Sequence, residues 1–143
     1  MRLMAAIVFA SCLLLFSLPS VAKTKGEEIV DACRKKEKSH ASAVNCEADE
    51  LEELEQKLET VYAEAHRESV ATEEDNKDSV AYEGLAKQLE ETQKAFKIYI
   101  ETECDYEAQI MGAGTFAADA RARCRIDLIE ARAHQLKRAI SSQ

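Results

Sequence analysis

The chain has 143 residues, with 19 basic and 27 acidic side chains and a formal net charge of −8. Such a balance repels nucleic acid and anionic lipid and draws basic partners. One proline, four glycines and no tryptophan leave few helix breakers, so an all-α chain without linker or internal repeat is expected.

Residues 1–22 read as a signal peptide. Arg2 precedes an apolar run from Ala5 to Leu18, Pro19 breaks it, and Ser20-Val21-Ala22 offers a small-x-small cleavage site. The run falls short of the roughly 20 apolar residues of a membrane span. The expected product is therefore periplasmic or secreted, with no stable membrane span after cleavage. A rival reading takes Phe9-Ala10-Ser11-Cys12 as a lipobox with Cys12 as lipid anchor, but the apolar run continues past Cys12. Cleavage after Ala22 removes one arginine and no acid, leaving a single domain over 23–143 with a charge of −9.

The first predicted helix is short, from about Glu27 to Lys38. Ile29, Val30 and Cys33 share one side, and Lys35, Lys36 and Lys38 suit its C-terminal end. Ser39 to Asn45 reads as a polar connection. The second helix carries Leu51, Leu54, Leu58, Val61, Tyr62 and Ala65 at spacings of three and four, with Glu47, Asp49 and Glu50 in its first turn and an end near Val70. Thr72 to Asp78 reads as a polar turn, with Asp78 or Ser79 as the next cap.

The third helix is expected to bury a stripe of Tyr82, Leu85, Leu89, Thr92, Phe96, Tyr99 and Glu103, with Cys104 at its edge. Gly112 and Gly114 stop it. Thr115 is read as the cap of a fourth helix that buries Ala120, Cys124, Leu128, Ala131, Gln135 and Leu136. The expected fold class is all-α: a small antiparallel bundle of three main helices plus a short N-terminal one.

Four cysteines remain after the leader, an even set in an exported chain, and these read as two disulfides. Cys104 lies ten residues before Gly114 and Cys124 ten after it, so they face each other across the hairpin. Cys33 and Cys46 flank the first connection in the same way. The favoured pairing is Cys33–Cys46 and Cys104–Cys124; Cys46–Cys104 is the rival. Without a close cysteine pair or clustered histidines, no metal is expected.

No catalytic signature is present: no His-Glu-x-x-His, no Gly-x-Ser-x-Gly and no phosphate-binding glycine loop. No cofactor is expected, and no enzyme. His40, His66 and His134 read as surface histidines. The acidic runs at Glu52-Glu53-Glu55, Glu73-Glu74-Asp75 and Glu90-Glu91 read as solvated faces.

Three stretches in order carry a resemblance. They are Leu58-x-x-x-Tyr62, then Leu89-x-x-x-Gln93-x-x-Phe96-x-x-Tyr99-x-Glu101-x-Glu103-Cys104, and Cys124-x-x-x-Leu128-x-x-x-Arg132-x-x-x-Leu136. Together they resemble the LprI-type lysozyme-inhibitor family over about Cys33 to Leu136. The family's usual tryptophan is Phe96 here, its arginine is Ile100 and its threonine is Ile129. The resemblance implies an exported protein that inhibits lysozyme, and the negative charge suits a basic target.

Within the motif, Leu58, Tyr62, Phe96 and Tyr99 read as core residues. Arg132 is expected to pair with Glu101 or Glu103, and Gln93 reads as a bridge between helices or a solvated side chain. The inhibitory contact is not assigned to any residue; an acidic helix face, or the Ser39–Asn45 and Thr72–Asp78 loops, would meet the enzyme. The alternative is an envelope interaction module or secreted effector with a different basic partner. A monomer is expected.

Overall fold

The computed structural model describes residues 22–141, so the leader expected over 1–22, Cys12 included, lies outside the described residues except for Ala22. Among the described residues four helices make up the fold: α1 (Lys25–Lys36), α2 (His40–Asp75), α3 (Leu85–Ile110) and α4 (Thr115–Ser141). A single 3-10 turn, Val80–Tyr82, precedes α3. Among the described residues there is no strand, and no helix is long and apolar enough to cross a membrane.

α1 starts on a capping box. Thr24 Oγ1 accepts from Glu27 N at 3.2 Å, and Glu27 Oε2 accepts from Thr24 N at 3.1 Å. Arg34, Lys35 and Lys36 close its last turn. The next helix begins much earlier than expected. Ser39 and Ser42 form a second capping box, with Ser42 N bonded to Ser39 Oγ at 3.2 Å. The polar stretch after Ser39 is therefore the first turns of α2, not a loop, and Ala43 in it is buried. α2 also outlasts the expected end at Val70, so the following turn shrinks to Asn76–Ser79.

The start of α3 needs a second correction. Neither Asp78 nor Ser79 caps it; its N-cap is Gly84 at φ 75°, and Glu73 of α2 supplies a carboxylate Oε1 to Ala86 N at 3.2 Å. Tyr82 lies before α3 and is exposed. Gly112 and Gly114 turn the chain with φ of 82° and 96°, as a left-handed stop requires. Thr115 is the first residue of α4, not its cap.

The stripe buried on α3 is rotated one residue from the expected one. Gln93, Ile100 and Cys104 are buried, where Thr92, Tyr99 and Glu103 were expected; Tyr99 is 48% exposed and Ile100 is 5% exposed. Leu89 and Phe96 stay half-buried against the core. On α4, Ala120, Cys124 and Leu136 are buried as expected, but Ala131 and Gln135 are exposed. Ile126, Ile129 and Ala133 are buried instead. The reason is that α4 packs against all three other helices. A helix touched from three sides buries more than one stripe.

The core has two parts joined along α4. Leu58, Val61 and Ala65 of α2 meet Ile100 of α3 and Ile129, Ala133 and Leu136 of α4. Ile29 and Cys33 of α1 meet Ile126, which is fully buried. The bridges are Cys33–Cys46 and Cys104–Cys124, the favoured pairing, with Cα atoms 5.7 and 5.5 Å apart. The first ties α1 to α2 and the second ties α3 to α4. Gly26 brings α1 onto α4: a Cβ there would overlap the Arg123 carbonyl, while Gly26 N donates to Asp127 Oδ1 at 2.7 Å.

Two outcomes follow from this packing. Replacing Cys104 and Cys124 together by serine lowers stability by about 2–4 kcal/mol, since the bridge closes a long loop of the unfolded chain; urea unfolding reads it. Gly26→Ala pushes α1 off α4 and costs about 1–3 kcal/mol, visible as a fall in the urea midpoint with the helical signal retained.

Candidate functional site

The motif residues turn largely inward, and the Cys104–Cys124 bridge sets their register. With those two level in an antiparallel pair, Arg132 falls level with Phe96, and Arg125 with Glu103. Accordingly Arg132 Nε donates to Gln93 Oε1 at 3.0 Å, its other nitrogens donate to Gln135 and Thr92, and its guanidinium lies 5.7 Å from the Phe96 ring centroid. Arg132 therefore does not pair with Glu101 or Glu103. Gln93 is the bridging alternative, 3% exposed.

Arg125, which the motif reading passed over, takes Glu101. Its guanidinium donates to Glu101 of α3 at 2.5 Å and to Glu55 of α2 at 2.9 Å, joining three helices. Burial pulls its pKa down, but the two carboxylates outweigh burial and hold it above the ordinary value. The hairpin register brings Arg125 to this height of α3 but by itself points to Glu103, not to Glu101. Leu58 sits in the core and Tyr62 is half-buried against it, so the structure brings Leu58, Tyr62, Gln93, Phe96 and Arg132 into one interior. Tyr99 stands apart on the outside.

Three acids from the runs expected to be solvated reach across to another helix. Glu55 holds Arg125, Glu73 holds the start of α3, and Glu90 bonds His66 at 3.0 Å. His66 is half-buried, so neither it nor these acids is merely solvated.

A polar junction lies where α1, α2 and α4 meet. Arg34 of α1 pairs with Asp119 of α4, which is 1% exposed. Glu47 of α2 is 3% exposed, and its Oε1 has no hydrogen-bond partner. Burial raises the Glu47 pKa above 4.5, opposed by the nearby charges of Arg34, His40 and Arg123. Among the described residues no group of three or more His, Cys, Asp or Glu is placed to hold a metal ion.

The outer surface differs in kind. A groove of about 490 Å³ runs between the N-terminal turn of α1, the second half of α3 and the first half of α4. Glu27, Glu103, Glu107 and Asp127 line it against a single cation, Arg123. Glu27 is occupied by the α1 capping box and Asp127 by Gly26 N. Among the described residues Glu103 and Glu107 form no ion pair or side-chain hydrogen bond, in contrast to Glu101 and Asp105 on the same helix. Tyr99, Ile110 and Met111 stand at the groove and are exposed, and Tyr106 is exposed beside it. Steps of four, three and four put Tyr99, Glu103, Tyr106 and Ile110 on one helical face.

A family model described as Lysozyme inhibitor LprI matches residues 33–136, from the first bridging cysteine to the last large core residue of α4. The comparisons with curated proteins and with solved structures found no match.

The Glu47 environment generates a pH-dependent outcome. A carboxyl whose folded pKa is raised costs stability while ionised. That cost is relieved as pH falls through the raised folded pKa, and fully so below the ordinary 4.5. Glu47→Gln is therefore expected to melt about 2–4 °C above wild type at pH 7. The gap should close as pH approaches 4, checked by thermal unfolding at three pH values.

Proposed function

Because the chain belongs to the LprI lysozyme inhibitor family, we propose that it is an exported protein that binds a basic lysozyme through its acidic surface and blocks it. The observation that carries this reading is the family match, which spans both disulfides and nearly all of the helical core. Export is supported by the leader and by the two bridges, which persist in oxidising compartments such as the periplasm or the cell exterior. The protein acts as a monomer by occupying its target, without catalysis of its own.

Charge supports the target class. The product after leader cleavage carries −9, and an acidic surface speeds encounter with a basic enzyme and loses that advantage as salt rises. Of the two expected contact loops, Ser39–Asn45 is helical apart from its cap, and Thr72–Asp78 is helical through Asp75 and keeps only a short turn at 76–78. An acidic helix face is the better supported contact. Ile100, standing where the family has arginine, is 5% exposed inside the core. At this position the chain therefore carries a core side chain in place of the family's charge.

Purified, oxidised protein at micromolar concentration is expected to slow lysis of peptidoglycan by a c-type lysozyme at low salt. Inhibition should weaken about tenfold between ~0.05 and ~0.5 M salt, read from turbidity loss. Undiminished lysis at low salt would refute the proposal and favour a non-lysozyme partner.

A further inference from the structure

We infer that the groove between α1, α3 and α4 is the surface on which the basic partner docks, with a lysine or arginine side chain seated between Glu103 and Glu107. This inference rests on the reading of the protein as a binder of a basic lysozyme.

Two independent features of the groove support it. The first is apolar. Tyr106 is 59% exposed and Ile110 65%, beside the exposed Tyr99 and Met111. Contiguous exposed aromatic and aliphatic groups on one face mark interaction surfaces, and tyrosine and methionine are enriched in the centres of interfaces. The tyrosines also offer ring faces to a cation.

The second is electrostatic. Glu103 and Glu107 are four residues apart on one helix, a like-charge spacing that destabilises an isolated helix. Elsewhere on α3 the matching cost is removed: Glu101 and Asp105 bond arginines of α4. At Glu103 and Glu107 it is left standing, and an incoming cation relieves it. Arg123 alone opposes the four carboxylates of the lining. A second copy of this chain is a poor occupant, because face-to-face pairing would set carboxylates against carboxylates.

Rigidity completes the case. Cys124 lines the groove and is bridged to Cys104 beneath it. The two walls formed by α3 and α4 are thus fixed before binding, which lowers the ordering cost of association.

The test compares two double variants of equal charge in the full oxidised protein. Glu103→Gln/Glu107→Gln removes the groove carboxylates. Glu53→Gln/Glu64→Gln removes two exposed acids of α2 outside it. The first is expected to weaken c-type lysozyme inhibition about 10- to 50-fold and the second less than threefold, with neither melting below wild type and the first unchanged or slightly raised. Equal weakening by the two pairs would show that only total charge matters and would overturn the groove. A separate NMR titration with tetralysine peptide reads the groove without any lysozyme. Shifts confined to 99–111 and 120–128, lost in the Glu103→Gln/Glu107→Gln protein, support the site. Shifts spread over every acidic face, or none, overturn it. Wild-type protein that fails to inhibit while tetralysine still maps to the groove would refute the lysozyme target and keep the cation-binding surface.

Discussion

The burial of α4 against three neighbours is the constraint on which the molecule depends. Ile126 is fully buried and Ile129 and Leu136 nearly so, and Ala120 and Cys124 are buried on the other side of the same helix. Yet α4 is also rich in charge. Asp119, Arg125 and Arg132 are drawn into the interior with the apolar groups. A buried charge without a partner is costly, so each neighbouring helix supplies one: Arg34 from α1, Glu55 from α2, Glu101 and Gln93 from α3. These contacts set the height of each helix on α4.

The Cys104–Cys124 bridge acts on the same problem from the covalent side. It fixes the register of the α3–α4 hairpin, which sets Arg132 level with Phe96 and Arg125 at the height of Glu103. Within that frame Arg125 bonds Glu101, and Arg132 meets Gln93 and the Phe96 ring. The second bridge, Cys33–Cys46, holds the short α1 where Gly26 can touch the α4 backbone. A domain this small has a thin core, and two covalent ties offset much of the missing burial.

The helix-to-helix contacts and the proposed docking face are consequently separated in space. Gln93 and Arg132, within the matched residues, are spent on helix-to-helix contacts. The carboxylates without such duties, Glu103 and Glu107, lie on the outside of α3 among exposed tyrosines. A surface of this kind can change its partner without disturbing the fold, because its residues hold nothing else in place. Ile100 illustrates the opposite case: a motif position inside the core, where a change is a packing matter.

The sequence by itself determined the helical class, the number of helices and the family, and it favoured the bridges that form over the Cys46–Cys104 rival. Those rest on local signals: spacings of three and four, glycines past a helix end, cysteines equidistant from a turn. It misplaced the start of α2, because a polar stretch reads as a loop unless its Ser39–Ser42 box is seen as a helix start. It also put Tyr99 inside, where Ile100 is the buried residue, because a spacing of three and four fits either stripe of a helix. Only the tertiary structure decided which sides of α4 are buried, which acid each arginine meets and which carboxylates stay free. Those outcomes depend on how many neighbours a helix has and at what height they sit. Neither quantity is carried by the periodicity of a single helix.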